Sequence, residues 1–401
     1  MEDRMKEQDY PTRKQVMERL LSEWNIQWGS ETIRTEDAIG RVPSEDQYAR
    51  HSLPVVRAAG MDSIAVRSKD FLEGMPDTSV WRTGKEFVRA DTGDDFDDRY
   101  DAVIAVEDVE FLPEGGLLLR PDIKIYAGLG VRPKGSTMKK GELLVQKGRP
   151  LRSVDLAALV MGGVTELPVY QKPRVAFIPT GSELLPAGAP LERGKTYDSN
   201  SILARHMLEE MGACAVLFPI VRDDKEKIRE TLEQAMKQAD IVILNGGSSK
   251  GDEDHNARLL KEQGQVICHG VAAAPGKPMC VAVLDKTPVI NMPGPPLAVF
   301  YGMDWCIRGL ICHLLHTPVP VRRTVEGVLT EDISTPPHME ILCKMNVKKT
   351  DQGYETAQVP FKKCTVVEAL CSDALYITKR GTDGNKAGEH IRVELLSDVE
   401  F

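Results

Sequence analysis

Between about residue 172 and residue 318 the sequence alternates apolar strands with helices, and this alternation constrains the fold more than any other feature. RVAFIP predicts a buried strand, NSILARHMLEE followed by CAVLF predicts a helix and a strand, and KEKIRETLEQAM followed by IVILN repeats that unit. PVINM leads into a further helix. The pattern is typical of a parallel sheet that helices cover on both faces. Ligands of such sheets bind beyond the carboxyl ends of the strands, so we expect the ligand-binding domain here.

The flanking segments predict smaller domains. TRKQVMERLLSEWNI has apolar residues at helical spacing, and the stretch from about residue 81 to residue 149 consists of short strands and turns, including a hairpin at PEGG. SVDLAALVMGG predicts a helix with Ser153 at its N-cap and its end at the double glycine. After residue 318 the helical pattern gives way to short alternating segments, which predict a small β-barrel or sandwich.

Composition excludes several classes of protein. Hydrophobic residues make up 42% of the chain, yet no uninterrupted apolar run reaches ~20 residues, so we expect no membrane span. The charged N-terminus has no apolar signal segment, which predicts a cytoplasmic protein. A net charge of −9 weighs against nucleic acid as a partner. The eight cysteines include no C-x-x-C pair, which favours reduced and mostly buried thiols over a zinc site or disulfides.

The turn ILNGGSSKGDEDHN combines glycines, hydroxyl groups, a lysine and acids. Its glycines let backbone N–H groups converge into an anion-binding nest, which the serines and the lysine extend. Carboxylates such as Asp254 are suitable ligands for Mg²⁺, which bridges phosphate oxygens. The alternative is a solvated turn whose acids cap the following helix. The anion-binding candidates are Gly246, Gly247, Ser248, Ser249 and Lys250.

Four further turns follow other predicted strands with a similar choice of residues. Their candidates are Thr180, Gly181, Ser182 and Glu183 in PTGSEL; Arg222, Asp223 and Asp224 in VRDD; Lys277 in APGKP; and Pro293, Gly294 and Pro296 in MPGPP. Asp224 is equally suited to be the N-cap of the next helix. Five such turns at the ends of one sheet favour a phosphorylated organic ligand together with a metal ion.

The order and wording of these turns resemble the MoeA and gephyrin E-domain family, the molybdenum insertases of molybdenum cofactor biosynthesis. MDSIAVR resembles the family's M-D-G-Y-A-V-R, DTGDD its M-T-G-A-P, PTGSEL its S-T-G-D-E-L, and TYDSN its I-Y-D-x-N. VRDD is similar to V-x-D-D, NGGSSKGDED to S-G-G-V-S-V-G-x-x-D, APGKP to K-P-G-K-P, and MPGPP to L-P-G-N-P. These eight ordered motifs extend over almost the whole chain.

The resemblance implies a multidomain fold of the α/β plus β class. The expected domains are a discontinuous linker domain at 1–44 and 138–171, a β-rich domain at 45–137, a MogA-like α/β molybdopterin-binding domain at 172–318, and a C-terminal β-barrel at 319–401. It also implies a homodimer whose active site lies between the α/β domain of one subunit and the β-rich domain of the other. A MogA-type adenylyltransferase and recipient molybdoenzymes are the protein partners it implies.

The activity implied is hydrolysis of adenylylated molybdopterin with Mg²⁺, followed by insertion of molybdate into the dithiolene. The catalytic residues expected are Asp62, Glu183, Asp223, Asp254 and Lys277, of which Glu183, Asp223 and Asp254 would bind the metal. The residues expected to bind the molybdopterin are Thr92, Thr180, Gly181, Gly246, Gly247, Ser248, Ser249, Lys250, Pro293, Gly294 and Pro296.

Departures from the family pattern keep a second hypothesis open. Two family lysines correspond to Gly270 and Ala274, and the carboxylates of the family's R-G-E-D-I run correspond to Ser136 and Thr137. Each lost lysine removes charge-assisted hydrogen bonds to an oxyanion. The alternative is therefore a molybdopterin-binding paralogue that delivers or tailors the cofactor without insertase activity. A scaffold of the gephyrin kind is a third hypothesis, which only the shared domain supports.

Overall fold

A computed structural model describes residues 9–247, 255–360 and 365–396. The chain divides into two structural units: the small unit contains residues 30–169, and the large unit contains residues 1–29 and 170–401.

Helix α1, Arg13–Glu23, is the first helix of the large unit. Its N-terminus is a capping box, in which the Thr12 hydroxyl accepts the Gln15 N–H and the Gln15 side chain accepts the Thr12 N–H. The four domain boundaries given above remain a prediction, since this division does not resolve them.

The small unit consists mainly of short strands. Its elements are β1 (Ser30–Arg34), β2 (Gln47–Tyr48), β3 (Ala58–Ala59), β4 (Ser63–Val66), β5 (Phe87–Ala90), β6 (Ala102–Ala105), β7 (Val109–Phe111), β8 (Leu117–Leu119), β9 (Val131–Arg132), β10 (Leu143–Val145), α2 (Ser153–Met161) and β11 (Glu166–Tyr170). Strand β4 is the centre of an antiparallel sheet β5-β4-β6, and all four of its residues are buried. Strands β7 and β8 form the hairpin predicted at PEGG.

The N-terminus of helix α2 differs from the prediction. Arg152 is the N-cap and Ser153 is already helical, so the predicted N-cap at Ser153 is wrong. The carboxylate of Asp155 accepts the Arg152 N–H at 2.8 Å and two hydrogen bonds from the Arg149 guanidinium, each 2.8 Å long. A carboxylate in the first turn therefore does the capping that a serine hydroxyl was expected to do.

The large unit contains the α/β sheet. Its elements are β12 (Arg174–Pro179), β13 (Leu184–Leu185), β14 (Thr196–Tyr197), α3 (Asn200–Glu210), β15 (Cys214–Leu217), α4 (Lys225–Met236), β16 (Ile241–Asn245), α5 (His255–Gln263), β17 (Gln265–His269), β18 (Ala273–Ala274), β19 (Cys280–Leu284), β20 (Thr287–Met292), α6 (Pro296–Gly302) and α7 (Arg308–Leu314). A π-helical turn, Met303–Ile307, joins α6 to α7. Asp224 is the N-cap of α4, as the sequence indicated.

The sheet is mixed. Its strand order is β15-β12-β16-β20-β19-β17, in which the first four strands are parallel while β19 and β17 are antiparallel to their neighbours. The four strands that the sequence predicted are parallel, as expected. Strands β17 and β19, which it did not predict, are antiparallel, because the short connection Asp285–Lys286 between β19 and β20 is long enough only for a hairpin. Strand β16 is buried at every residue, as its continuous apolar run predicted.

Helices cover this sheet. Helices α4 and α5 pack against Ala176, Ile178, Val242 and Leu244 in one apolar core, while α1 contacts β17 and β19. Within the described residues, only the helical run Pro296–Leu314 is long and apolar enough to cross a membrane, and 61% of it is buried. That degree of burial is typical of a helix in a protein core.

The C-terminal part of the large unit is a closed β-barrel. Its elements are β21 (Thr324–Leu329), β22 (Ile333–Ser334), β23 (Glu340–Thr350), β24 (Gly353–Gln358), α8 (Val366–Leu370), β25 (Ala374–Ile377), β26 (Gly384–Asn385) and β27 (His390–Leu395). The ladder β23-β24-β21-β27-β25 closes where β25 pairs with β23, so the predicted barrel is confirmed. The short helix α8 was not predicted; Thr365 and Glu368 form its capping box.

Candidate functional site

The predicted ligand turns lie at one edge of the α/β sheet. The parallel strands β12, β15, β16 and β20 all end there. The register pairs Cys280 with Asn291 and His269 with Cys280, so the end of β17 and the start of β19 also lie at this edge. The loop 270–279 therefore extends from the same edge as the other turns.

A cavity of about 320 Å³ opens among these turns. Four of the predicted residues line it: Thr180, Glu183, Gly294 and Pro296. Eight lining residues were not predicted: Leu184, Thr196, Tyr197, Asp198, Ser199, Asn200, Asn245 and Pro295. The TYDSN motif was the available signal for Tyr197, Asp198, Ser199 and Asn200, whereas Asn245 was visible only as a polar residue that closes an apolar strand.

Two acidic side chains line the cavity, Glu183 and Asp198, and they differ in their hydrogen bonds. The carboxylate of Asp198 accepts hydrogen bonds from the Ser201 N–H at 3.0 Å and the Ser201 hydroxyl at 2.5 Å. The hydroxyl of Tyr197 donates to the Ala189 carbonyl at 2.8 Å. Within the described part of the chain, Glu183 makes no such side-chain hydrogen bond, so it is the cavity carboxylate best suited to bind a ligand, a metal ion or water.

Glycine is required at both positions of the turn after β16. Gly246 has φ +112°, and a Cβ there would lie 2.2 Å from the Thr180 carbonyl oxygen. Gly247 has φ +65°, and its Cβ would lie 2.6 Å from the amide nitrogen of Asn256. The rest of the predicted anion nest, Ser248, Ser249 and Lys250, lies outside the described residues, as does Asp254.

Glu183 and Asp223 belong to two turns that are joined through Ser182. The Ser182 N–H donates to Asp223 Oδ2 at 2.9 Å, and the Asp223 N–H donates to the Ser182 hydroxyl at 3.2 Å. The Glu183 carboxylate lies over Gly181, where an added Cβ would be 2.6 Å from its oxygens. Lys195 Nζ donates to the Ser182 carbonyl at 2.7 Å, which adds a cation that sequence reasoning missed. Among the described residues no three His, Cys, Asp or Glu side chains come together as a metal site.

In the small unit, Asp62 and Thr92 lie together. Asp62 Oδ1 accepts the Thr92 N–H at 2.9 Å and the Thr92 hydroxyl at 2.8 Å. These two hydrogen bonds, the backbone one first, lower the pKa of Asp62. Asp62 is therefore ionised at neutral pH, and the Thr92 hydroxyl, which donates its proton to Asp62, keeps its oxygen lone pairs as acceptors.

The loop 270–279 explains one departure from the family pattern. Gly270 has φ +105°, and a Cβ there would lie 2.6 Å from the ring of Tyr10. The N-terminal segment is held in place here, since the Ala272 N–H donates to the Pro11 carbonyl at 2.9 Å. A lysine at position 270 would clash with this ring. Lys277 lies on the same loop, and its carbonyl accepts the Val271 N–H at 2.9 Å.

These features define an α/β protein with a small-molecule cavity at the carboxyl edge of its sheet and an attached barrel. Residues 176–313 match the family model described as a probable molybdopterin binding domain. Residues 12–163 match the model described as the MoeA N-terminal region, domains I and II. The chain belongs to the MoeA family.

Relatives that match this chain over nearly their whole length support this membership. The molybdopterin molybdenumtransferase of Haemophilus influenzae is 26% identical over 96% of this chain and 98% of its own. That of Bacillus subtilis is 27% identical over 95% of this chain and 93% of its own. Among solved structures, the molybdopterin biosynthesis MoeA protein of Pyrococcus horikoshii is 26% identical, covers 98% of this chain and 100% of its own, and gives a TM-score of 0.81.

Proposed function

We propose that this protein is a molybdopterin molybdenumtransferase, which hydrolyses adenylylated molybdopterin and inserts molybdate into the dithiolene. The observation that carries this proposal is the cavity at the carboxyl edge of the sheet, inside the segment that matches a molybdopterin-binding model. Full-length relatives carry the name of this activity. They give no support to the alternative of a binding protein without insertase activity.

The turns at the sheet edge would hold the molybdopterin, and the acids would carry the hydrolysis. We assign the cradle to the turns at Gly246–Gly247 and 293–296, with Ser248, Ser249 and Lys250 extending it. Hydrolysis breaks a phosphorus–oxygen bond, and the attacking water must lose a proton. Glu183 lines the cavity, and we propose that it orients that water and accepts its proton. Lys277 would contact the oxyanion through its charge.

Mg²⁺ suits the donors at the Ser182 turn. This ion commonly takes one or two protein carboxylates and completes its shell with water and substrate phosphate oxygens. Glu183 and Asp223 provide two carboxylates in adjoining turns, and we propose Asp254 as a third ligand. The bound ion would offset the negative charge that develops on the phosphate group.

The assembly implied by this function is a cytoplasmic homodimer. We propose that Asp62 and Thr92 of one subunit complete the site of the other, because an ionised carboxylate would add to its metal and water ligands. A MogA-type adenylyltransferase would supply the substrate and molybdoenzymes would receive the product. Mixed dimers of an Asp62→Ala chain and an Asp254→Ala chain should regain one working site of two, whereas homodimers of either variant stay inactive. A protein that sediments as a monomer at micromolar concentration contradicts the shared site.

The activity is tested by incubating the protein with adenylylated molybdopterin, Mg²⁺ and molybdate. AMP should be released together with cofactor that reconstitutes an apo-molybdoenzyme. Glu183→Gln should lower the rate of AMP release by about a hundredfold or more, whereas Glu192→Gln, an exposed residue of the neighbouring loop, should leave it unchanged. Binding of the substrate without release of AMP by the wild-type protein would overturn the proposal.

A further inference from the structure

Asn245, the last residue of β16, connects three elements around the cavity. It is 2% exposed. Its main-chain carbonyl accepts the Thr180 N–H at 2.7 Å and the Thr180 hydroxyl at 3.0 Å. Its side-chain nitrogen donates to the Pro293 carbonyl at 3.0 Å, and its side-chain oxygen accepts from Asn200 at 2.9 Å. One side chain thus links the end of β16 to the turn after β20 and to helix α3.

The direction of these hydrogen bonds is fixed by the backbone. Carbonyl oxygens only accept, so the Asn245 nitrogen must face Pro293, and the Asn200 nitrogen must face the Gly294 carbonyl, to which it donates at 2.7 Å. The Asn245 oxygen then necessarily faces Asn200. Neither amide can be flipped without placing two oxygens against each other, so a carboxylate is not equivalent to either amide.

The turn at 293–296, to which Asn245 is hydrogen-bonded, has few backbone N–H groups with which to form hydrogen bonds of its own. Three of its four residues, Pro293, Pro295 and Pro296, have no N–H group, which leaves Gly294 with the only backbone donor of the turn. Two of its carbonyls are held by Asn245 and Asn200. Gly294 has open space where a Cβ would be, so a ligand can approach the backbone closely there. The position of the Gly294 backbone that a ligand would contact therefore depends on the side-chain amides of Asn245 and Asn200.

We propose that Asn245 is a positioning residue of this site: it sets the place and orientation of the Gly294 backbone against which the molybdopterin packs. The inference rests on the proposed function, because it takes the cavity ligand to be molybdopterin. The family motif quoted above has serine at this position, and a serine side chain is too short to reach both Pro293 and Asn200.

Replacement of Asn245 by aspartate provides a test with a pH readout. At pH 7.5 the ionised carboxylate cannot donate to the Pro293 carbonyl, and binding of molybdopterin, followed by pterin fluorescence, should weaken by about tenfold or more. A protonated carboxyl group has a donor in the same place, so affinity should recover as the pH falls towards 5.5. Burial raises the pKa of such a carboxyl above its usual value, so its protonation begins at a higher pH than that of an exposed aspartate. Asn245→Ala should lose affinity at every pH, and the wild-type protein should show no such recovery.

Asn385→Asp is the matched control, because Asn385 lies in the barrel, where its side-chain oxygen accepts from the Tyr376 hydroxyl and its side-chain nitrogen donates to Glu389. It should bind molybdopterin with wild-type Kd. An Asn245→Asp protein with wild-type Kd, or with the same loss at every pH, overturns the inference. If that variant does not fold, Asn245→Ser decides, since wild-type affinity there also overturns it. A wild-type protein that does not bind molybdopterin overturns the proposed function first, and this inference with it.

Discussion

The ammonium nitrogen of Lys344 lies 3.6 Å from the centre of the Phe300 ring, between the barrel strand β23 and helix α6. Lys344 is 4% exposed, and its nitrogen has no hydrogen-bond acceptor among the described residues. Burial lowers its pKa to about 8, against the smaller opposing effect of Asp304. The charge of Asp304 is already engaged by Arg308 and Arg322. Lys344 is therefore a destabilising residue, and the face of the Phe300 ring and the nearby charge of Asp304 offset only part of the cost of burying it.

Lys344→Met should raise the free energy of unfolding at pH 7 by about 1–3 kcal/mol, because methionine keeps the contact with Phe300 without a buried charge. The unfolded chain keeps its proton up to a pKa of ~10.4, whereas the folded protein releases it near pH 8. Wild-type stability should therefore rise between pH 8 and about 10, and the variant should lack this rise. Urea unfolding across this range measures both. Lys348→Met, exposed on the same strand, is the control and should change neither.

Gly247→Ala should weaken molybdopterin binding by about tenfold or more, because its Cβ would displace the Asn256 amide that holds the Gly246 carbonyl at 3.1 Å. Gly188→Ala is the control, because Gly188 also has a positive φ, +85°, but no atom lies within 4 Å of the added Cβ. Both variants should lose about 1 kcal/mol of stability from the positive φ. Equal affinity of the two for molybdopterin would show that the turn after β16 does not contact the ligand.

Tyr10 and Gly270 should be energetically coupled. Gly270→Lys should destabilise the protein by about 2–4 kcal/mol, since the new side chain meets both the Tyr10 ring and a positive φ. Tyr10→Ala removes the ring, so the same lysine should cost less in that background, with a coupling energy of about 1–2 kcal/mol in a double-mutant cycle. Chemical unfolding of the four proteins gives the cycle. Strict additivity would mean that the ring does not occupy the space above Gly270.

Asp155→Asn should lower the free energy of unfolding at pH 7 by about 1–2 kcal/mol, because it removes the charged acceptor of Arg149, whose partly exposed guanidinium can still be hydrated by water. Hydrogen bonds from Arg149 and then Arg152 hold the pKa of Asp155 well below its usual range. This stabilisation is complete above the unfolded-state pKa near 4 and is lost as the pH falls further, so acid unfolding of the variant should be less steep. Asp98→Asn breaks only an exposed contact with Arg57 and should have little effect.

The sequence could specify those parts of the fold whose signals are local. Continuous apolar runs located β12 and β16, because strands buried on both faces carry no polar alternation. Glycines indicated the turn after β16, since backbone with positive φ favours glycine over residues with a Cβ. Proline and glycine likewise located the turn after β20. The turn residues that follow these strands predict Thr180, Glu183, Gly294 and Pro296 as site residues, and all four line the cavity.

Contacts between residues far apart in the chain depend on the tertiary fold and could not be predicted. Asparagine is usually exposed, so the sequence does not mark Asn245 and Asn200 as buried. They become buried hydrogen-bond bridges because β16, α3 and the turn after β20 meet in the fold. The ring of Tyr10 reaches Gly270 across 260 positions of sequence, so no local pattern could show why a lysine is absent there. The antiparallel direction of β19 and β17 depends on pairing partners, because an isolated apolar run carries no strand direction. The positions of turns and strands along the chain follow from local sequence. Which polar groups those turns bring together depends on packing between distant segments.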